Sequence, residues 1–317
     1  MPKQSMSRKF RELLARDRVL VKPGAHNALS AKIIEAAGFE SCGVSGYAVS
    51  ATLLGKPDVG LVTADEMVMM SRYIAAAVDI PAIADADTGY GNAINVIRTV
   101  EDFIRAGVAG IHIEDQVAPK RCGHVAGKQI VPIEEAVGKY RAAAITRDEI
   151  DPDFVLIART DARGVAGGSV ADVIERGKAY LDAGVNMIFP EGLSSKEEIA
   201  EVCAALQCPI HYNRTGVSPM LTLDELNDMK IAMVSFATGA LRSGARAMWD
   251  FMHEFKERDV AAQIEFLESA KDHPVGNIHE FVEFDAFRAM EAEFLPAEEV
   301  LAKYEGSLGY QPKDAVE

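Results

Sequence analysis

The sequence lacks any apolar run of about 18 residues or more, the length that a helix needs to cross a bilayer. Residues 1–16 are polar and charged, without the apolar stretch of a secretory signal. We therefore expect a cytoplasmic protein with no membrane partner. Positive charge is also scarce, since 33 Lys and Arg stand against 48 Asp and Glu, giving a formal net charge of −15. Such a surface repels phosphates, which argues against nucleic acid as a partner.

Cysteine is rare, and the four cysteines have neither disulfide nor zinc-binding spacing. Outside a reactive loop, such residues are expected to be small buried side chains in a reducing compartment. No linker rich in Pro, Gly or Ser and no low-complexity tract occurs before about residue 272. The sequence therefore predicts one domain over residues 1–317, with a C-terminal helical arm over about 258–317.

What the sequence does contain is a regular alternation of short apolar runs and Ala-rich stretches of helical period. The apolar runs suit buried parallel strands, and they cover residues 19–23, 41–45, 82–85, 110–115, 154–159, 187–191, 210–213 and 231–236. The helical stretches between them cover residues 28–37, 64–77, 93–106, 133–145, 170–183 and 196–206. Three of these stretches are followed directly by a glycine, at 38, 107 or 184. A helix that ends in a residue with left-handed backbone conformation favours glycine at that position.

Eight strands alternating with helices predict an α/β fold, a (β/α)8 TIM-type barrel. A doubly wound sheet is the alternative, but it usually has fewer strands and a glycine-rich first turn. The first turn here, Pro23-Gly24-Ala25-His26, has no G-x-G-x-x-G pattern. Helices predicted at 239–256, 260–270 and 278–290 exceed what a barrel needs. Such an arm is often an oligomer contact, although a cap on the same subunit is equally compatible with the sequence.

Polar or ionisable residues end nearly every predicted strand, whereas the strand bodies are apolar. In a barrel, functional residues lie at the carboxyl ends of the strands, so these residues are expected to converge on one site. The polar strand ends are Ser45-Gly46-Tyr47, Asp85-Ala86-Asp87, Glu114-Asp115, Arg159-Thr160-Asp161, Glu191 and Asn213-Arg214.

Three carboxylates among these ends predict a metal site. Asp85 and Asp87 are two residues apart and point the same way in an extended segment, and Glu114 follows on the neighbouring strand. An all-oxygen set of this kind suits Mg²⁺, or alternatively Mn²⁺. The competing interpretation is that these acids cap helices or pair with Lys and Arg at the barrel rim. Asp115 and Asp161 fit that structural interpretation better.

Two further features predict catalysis on an anionic substrate. Arg159 brings to a strand end a guanidinium fork that suits a carboxylate or phosphate, with a structural salt bridge as the alternative. The stretch Lys120-Arg121-Cys122-Gly123-His124 places a thiol among three cationic groups, which favours thiolate and allows a role as nucleophile or as acid and base. His26, His112 and His211 are expected to be orienting or core residues.

Together these motifs resemble the isocitrate lyase/phosphoenolpyruvate mutase superfamily over roughly residues 8–290. The matching segments are Gly24-Ala25-His26-Asn27, Ser45-Gly46-Tyr47, Pro57-Asp58, Asp85-Ala86-Asp87-Thr88-Gly89-Tyr90-Gly91, Ile113-Glu114-Asp115-Gln116, Lys120-Arg121-Cys122-Gly123-His124 and Ile157-Ala158-Arg159-Thr160-Asp161. The set is specific, although any one segment alone would not be.

The resemblance implies a (β/α)8 barrel in which Asp85, Asp87 and Glu114 hold Mg²⁺ mostly through waters, with Asp58 close by. It implies that residues 116–131 form a loop that closes over the site and that Cys122 delivers a proton to the departing carbanion. It also implies a homotetramer, a dimer of dimers, with C-terminal helices exchanged between subunits. Tyr47, or a metal-bound water or hydroxide, is the candidate base. The residues implied to bind the carboxylate substrate or to support the thiol are Ser45, Gly46, Tyr47, Asp58, Lys120, Arg121, Gly123, His124, Arg159, Glu191, Asn213 and Arg242.

The loop sequence narrows the choice within the superfamily. The phosphonomutase and phosphonopyruvate hydrolase branches lack the Lys-Arg-Cys-Gly-His loop, and long isocitrate lyases carry Lys-Lys-Cys-Gly-His. Short methylisocitrate lyases typically have an arginine after the His, whereas here Val125-Ala126-Gly127-Lys128 follows, and Tyr47 and Ala48 replace glycines. The chain is more similar to lyases of smaller 2-substituted malates, such as 2,3-dimethylmalate lyase, and to oxaloacetate hydrolases.

We therefore predict a Mg²⁺-dependent carbon–carbon lyase (an oxo-acid-lyase). It would cleave a 2-alkylmalate-type di- or tricarboxylate to an α-keto acid such as pyruvate and a short carboxylic acid. The alternatives are a 2-methylisocitrate lyase, an oxaloacetate hydrolase or decarboxylase, and a non-catalytic barrel that serves as a binding protein.

Overall fold

A computed structural model describes residues 5–123, 125–214 and 216–311 of the chain. The chain divides into two compact units, Met1–Ser243 and Gly244–Glu317. All eight strands lie in the first unit. No helix in the described ranges is long and apolar enough to span a bilayer.

Eight parallel strands form the centre of the first unit. Hydrogen bonds link them in the order β6-β5-β4-β3-β2-β1-β8-β7, and a parallel bridge between Ile188 and Ile210 joins the two ends of that order. The nearly closed barrel, with helices between its strands, confirms the predicted TIM-type fold. The strands are β1 (Leu20–Ala25), β2 (Cys42–Val44), β3 (Ala82–Asp85), β4 (Gly110–Glu114), β5 (Val155–Thr160), β6 (Met187–Pro190), β7 (His211–Asn213) and β8 (Met233–Phe236).

The helices of the described ranges follow the predicted alternation, with additions. They are α1 (Met6–Leu14), α2 (Ala28–Ala36), α3 (Gly46–Val49), α4 (Ala64–Ala76), α5 (Ala93–Arg105), α6 (Ile133–Ile150), α7 (Val170–Asp182), α8 (Lys196–Leu206), α9 (Leu223–Asp228), α10 (Gly239–Arg258), α11 (Val260–Ala270), α12 (Ile278–Phe281), α13 (Phe284–Phe294) and α14 (Ala297–Tyr304). A π-helical turn, Ser50–Leu54, follows α3, and a 3-10 turn, Ala162–Gly164, follows β5.

Local capping chemistry explains where many of these helices begin and end. A capping box starts α2, α4, α5, α7 and α9, and each such cap contributes about 1 kcal/mol. Gly38, Gly107 and Gly184 have φ values of 88°, 87° and 101°, so the predicted left-handed C-caps are confirmed. Each cap stops its helix and turns the chain back toward the next strand.

One helix prediction needs correction. The stretch 278–290 is not one helix, because it breaks into α12 and α13 at Glu283, whose φ is 65°. No glycine or proline lies at this break, so the sequence contains no local signal for it. Four helices, α1, α3, α9 and α14, were not predicted.

The amino end of the barrel is filled with apolar side chains. Phe10 and Leu13 of α1 join the first residues of several strands, including Leu20, Val155 and Met187, in one buried cluster. A second and larger cluster packs the outer faces of the strands against the helices. Because apolar groups occupy the amino end, the polar side chains of the interior collect at the carboxyl end.

The secondary structure of the second unit, in its described residues, consists of helices joined by turns. Several of its large apolar side chains are exposed in the single chain, among them Trp249 and Phe294. The four cysteines form no disulfide, as their spacing predicted. Exchange of the C-terminal helices between subunits remains a prediction.

Candidate active site

Most of the predicted site residues lie buried together at the carboxyl ends of the strands. The last residues of β3, β4, β5 and β7 supply some of them, and the segments that follow β2, β3, β4 and β6 supply the others. The buried members are Gly46, Asp58, Asp85, Asp87, Glu114, Lys120, Arg159, Glu191 and Asn213.

Lys120 lies between two carboxylates on one side of the site. Its Nζ is 2.8 Å from Asp58 Oδ1 and 2.9 Å from Asp87 Oδ1. Burial lowers the pKa of Lys120, but the surrounding carboxylates outweigh burial and raise it well above the usual value. The resemblance implied that Lys120 supports Cys122 and binds a carboxylate, and in the structure its ammonium group contacts these two acids.

Asp85 and Asp87 differ in their protonation behaviour although they are two residues apart. Burial raises the pKa of Asp85, but His112 and Lys120 outweigh it and hold that pKa well below the usual value. The Nε2 of His112 lies 3.4 Å from Asp85 Oδ1, which also accepts a hydrogen bond from the Asp87 amide at 3.0 Å. Burial raises the pKa of Asp87 to about 6, against the effect of Lys120.

Glu114 is fully buried, and neither of its carboxylate oxygens accepts a hydrogen bond from the described residues. Burial raises its pKa well above the usual value although Arg159 Nη1 lies 3.1 Å away. Buried carboxylate oxygens of this kind favour a cation as a partner. Within the described ranges, no three His, Cys, Asp or Glu groups are placed to hold one ion directly. The acidic set is nonetheless of the oxygen-donor type that Mg²⁺ prefers.

Glycine at position 46 allows the start of α3 to approach the acidic pair. A Cβ at Gly46 would lie 2.5 Å from Asp85 Oδ2, so no larger residue fits there without movement. The hydroxyl of the preceding Ser45 accepts a hydrogen bond from the Ala48 amide and caps α3. The start of α3 thus borders the acidic side of the site.

Arg159 forms the other side of the site and is held in a fixed orientation. Asp161 accepts two hydrogen bonds from its guanidinium, at 3.0 Å from Nε and 3.2 Å from Nη2. Its Nη2 also lies 3.9 Å from Glu191, which accepts a hydrogen bond from Asn213 at 3.1 Å. Burial raises the pKa of Asp161, but Arg159 and Lys128 outweigh it and lower that pKa to about 2.

Asp115 has the structural role that its position suggested. It accepts hydrogen bonds from the Thr160 hydroxyl at 2.7 Å, the Asp161 amide at 3.0 Å and the Tyr180 hydroxyl at 2.8 Å. These bonds fix the end of β4 to the end of β5. They thereby fix the segment that carries Arg159 and Asp161.

The loop that carries Cys122 lies over these strand ends. An antiparallel bridge between Gln116 and Ile130 closes its base, and the Cys122 amide donates to the Asp58 carbonyl at 3.1 Å. Gly123 packs so closely that a Cβ there would lie 2.4 Å from Arg159 Nη2. The Cys122 backbone is therefore held between the acidic side and the Arg159 side.

Several predicted residues are not drawn into this buried cluster. Tyr47 is 43% exposed on α3. Arg121 is exposed on the loop and Arg242 is exposed on α10, where its side chain forms no ion pair with any residue of the described ranges. His124 lies outside the described residues.

Sequence reasoning missed two loop residues that contact the site. The Lys128 amine donates to Asp161 at 2.8 Å, and the Gln116 amide donates to the same carboxylate at 3.1 Å. Both residues lie in the loop that was expected to close over the site. That expectation was the sequence signal that could have identified them. Their common partner lies 33 and 45 residues further along the chain, so sequence spacing could not reveal the contacts.

A family model described as phosphoenolpyruvate phosphomutase matches residues 10–256. A 2,3-dimethylmalate lyase of Eubacterium barkeri is 43% identical over 258 residues, which cover 81% of this chain and 88% of that protein. A 2-methylisocitrate lyase of Escherichia coli (strain K12) is 42% identical over 250 residues, covering 78% and 83% respectively. A crystal structure of phosphonopyruvate hydrolase in complex with oxalate and Mg²⁺ has a TM-score of 0.80 at 31% identity, covering 92% of this chain and 100% of that one.

Proposed function

Because the chain belongs to the phosphoenolpyruvate mutase/isocitrate lyase superfamily, we propose that it cleaves a 2-alkylmalate between C2 and C3. It is a carbon–carbon lyase of that superfamily, and the substrate is the part that we propose. The products would be an α-keto acid and a short carboxylic acid. From 2,3-dimethylmalate they would be pyruvate and propionate.

The position of the thiol-bearing loop is the observation that carries this proposal. The residue after Cys122 packs on Arg159 and Glu191, and the Cys122 amide binds the Asp58 carbonyl beside the acidic set. A cysteine held between a carboxylate-binding arginine and a candidate metal site is suited to protonate a carbanion that forms there. A barrel that only bound a partner would have no use for this arrangement.

We further propose that Asp85, Asp87 and Glu114 hold Mg²⁺, with Asp58 nearby. Support comes from the buried Glu114 oxygens, which accept no hydrogen bond from the described residues, and from the Mg²⁺ and oxalate complex of the phosphonopyruvate hydrolase relative. When bound, the ion would supply Lewis-acid stabilisation of the keto-acid oxygens as negative charge develops on them. Mn²⁺ offers the same oxygen preference.

Side chains of the protein would then carry out the separate steps of the reaction. The Arg159 guanidinium binds the carboxylate of the forming keto acid, and its pairing with Asp161 through Nε and Nη2 keeps it oriented. Tyr47, which is partly exposed but directly follows Gly46 beside Asp85, is the candidate base for the C2 hydroxyl proton. The C2–C3 bond breaks, its electron pair moves to the enediolate of the departing acid, and the Cys122 thiol protonates C3. The loop excludes water, so the thiol is the available acid.

The loop composition supports a substrate smaller than a tricarboxylate. Val125 and Ala126 follow His124 and are exposed, so this part of the loop offers no cation to a third carboxylate. Arg242, a predicted ligand of the distal carboxylate, is exposed in the single chain. Tetrameric assembly with exchanged helices belongs to the same proposal, and the exposed apolar side chains of the second unit support it.

The proposal predicts a specific order of activities in a substrate panel. With Mg²⁺ present, 2,3-dimethylmalate should be cleaved faster than 2-methylisocitrate, and oxaloacetate should be the poorest substrate. Pyruvate from the first two is measured by a coupled assay, and oxalate from the third by chromatography. Fast oxaloacetate hydrolysis without malate cleavage would instead support a hydrolase.

The metal assignment predicts ligand-dependent thermal stability. Mg²⁺ with oxalate should raise the melting temperature, because a ligand at about 100 times its Kd stabilises the native state by about 2.7 kcal/mol. Asp85→Asn should lose most of that increase. Asp102→Asn is the matched control, since the ion pairs of Asp102 within the described ranges are with the surface residues Arg98 and Arg105 on α5. Equal stabilisation of Asp85→Asn and wild type would contradict the assignment, and no stabilisation of either would favour a non-catalytic barrel.

A further inference from the structure

Lys128 is a buried lysine on a loop whose neighbouring residues are exposed. Its side chain is 3% exposed, whereas Gly127 and Gln129 on either side face solvent. Its amine donates to the Gly123 carbonyl at 2.6 Å and to Asp161 Oδ1 at 2.8 Å. A Cβ at Gly164 would lie 2.5 Å from this amine, so the surroundings leave room for the ammonium group and little more. Burying a lysine is costly unless it is paired, so this contact has a specific structural role.

Gln116 holds the other neighbour of Cys122. Its side chain accepts from the Arg121 amide at 2.9 Å and donates to the Arg121 carbonyl at 2.9 Å. The same side-chain amide also donates to Asp161 Oδ2 at 3.1 Å. The residues on both sides of Cys122 are thus held by side chains that meet at one carboxylate.

That carboxylate also orients Arg159. Asp161 Oδ2 accepts from Arg159 Nε at 3.0 Å and Asp161 Oδ1 accepts from Nη2 at 3.2 Å. The buried Asp161 side chain therefore contacts Arg159 at the strand end. It also contacts Lys128 and Gln116, the two side chains that hold the loop. If Asp161 moves, Arg159, Lys128 and Gln116 each lose a hydrogen bond, so the three contacts are linked through this one carboxylate.

We propose that Asp161, Lys128 and Gln116 form a clamp that sets the position of Cys122 relative to Arg159. The three are positioning residues, because they act through Cys122 and Arg159. The clamp holds the Arg121 and Gly123 peptides to the strand that carries Arg159, so loop closure and arginine orientation are coupled. Only its effect on turnover rests on the proposed lyase function. The mechanical part of the proposal, loop fastening, can be tested without any substrate.

Lys128→Met is the main test, because methionine keeps most of the length of the lysine side chain and removes the charge and the donors. In the ligand-free protein, iodoacetamide should alkylate Cys122 roughly tenfold faster than in wild type, since a charge-assisted contact is lost. The rate is measured by mass spectrometry of the Cys122 peptide. Turnover should show a large loss in kcat, whereas oxalate binding in the presence of Mg²⁺ should change by less than about threefold, because the Arg159–Asp161 pair is still present.

Lys139→Met is the matched control. Lys139 is also a buried lysine that donates to a backbone carbonyl, that of Thr88 at 3.2 Å, but it lies on α6. It should leave the alkylation rate of Cys122 unchanged. If Lys139→Met accelerates alkylation as much as Lys128→Met does, the effect is general destabilisation and the clamp is wrong.

Gln116→Leu provides a second measurement that does not depend on the folding of Lys128→Met. It removes the bonds to Arg121 and leaves the Lys128–Asp161 pair in place, and it should also accelerate alkylation. Wild-type alkylation rates in both variants would overturn the clamp. Faster alkylation in a protein that cleaves none of the tested acids would support the clamp and reject the proposed lyase function, so the two failures are distinguishable.

Discussion

Cys122→Ser is expected to lower kcat by roughly 10²- to 10⁴-fold, the usual contribution of a positioned acid. A serine hydroxyl has nearly the shape of the thiol but is a much weaker acid, so it cannot protonate the departing carbanion efficiently. The fold should be retained, because Cys122 is held through its backbone amide and its neighbours Arg121 and Gly123. Steady-state kinetics on the preferred malate, together with thermal unfolding with and without Mg²⁺ and oxalate, measure the two effects separately.

Cys203→Ser is the matched control for this variant. Cys203 lies on α8, and burial raises the pKa of its thiol to about 11, so it is an unreactive cysteine away from the strand ends. Its replacement should leave kcat within about twofold of wild type, as for a substitution remote from the chemistry. Turnover close to the wild-type rate in Cys122→Ser would remove the thiol from the mechanism and leave the loop only a covering role.

Gly123→Ala is expected to lower kcat by at least about 10²-fold, since a misplacement of about 1 Å can have that effect. The added methyl group would lie 2.4 Å from Arg159 Nη2 and 2.9 Å from the Glu191 side chain. Gly123 does not have a left-handed φ, so its backbone accepts alanine and the methyl group alone is the cause. The loop must lift or Arg159 must move, and both changes separate the thiol from the keto-acid end of the substrate. Kinetics and the alkylation rate of Cys122 measure the outcome.

Gly138→Ala is the control, because nothing lies within 4 Å of its Cβ position on α6. Alanine in the helix interior should raise the free energy of unfolding by roughly 0.5–1 kcal/mol and leave the kinetics unchanged. Wild-type kcat in Gly123→Ala would mean that the loop does not approach Arg159 this closely during turnover. That result would also weaken the proposed clamp.

Much of the fold could be predicted because the deciding interactions are local or periodic. Apolar runs predicted all eight strands, and the three C-cap glycines have left-handed conformations as expected. Short or irregular elements were missed because they lack such a local or periodic signal. The break at Glu283 has no glycine or proline to signal it, and α3 is only four residues long.

The loop Lys120-Arg121-Cys122-Gly123-His124 shows how much of the site can be predicted from residue identity alone. Its residues predicted a pocket with acid chemistry, and the strand ends predicted which groups would converge. Its cations were expected to support the thiol and bind a carboxylate, and residue identity did not reveal that the Lys120 amine pairs with Asp58 and Asp87. Side-chain direction depends on which partners lie nearby in space, and the sequence does not contain that information.

The sequence by itself determined the barrel and the end of the barrel at which the polar groups collect, and it predicted the acidic set and the reactive thiol. These follow from strand periodicity and from the rule that parallel strands present their carboxyl ends together. Only the tertiary structure decided that Asp161 is shared by Arg159, Lys128 and Gln116. Its contacts to Gln116 and Lys128 span 45 and 33 residues, and they exist because the barrel brings the end of β5 beneath the loop after β4.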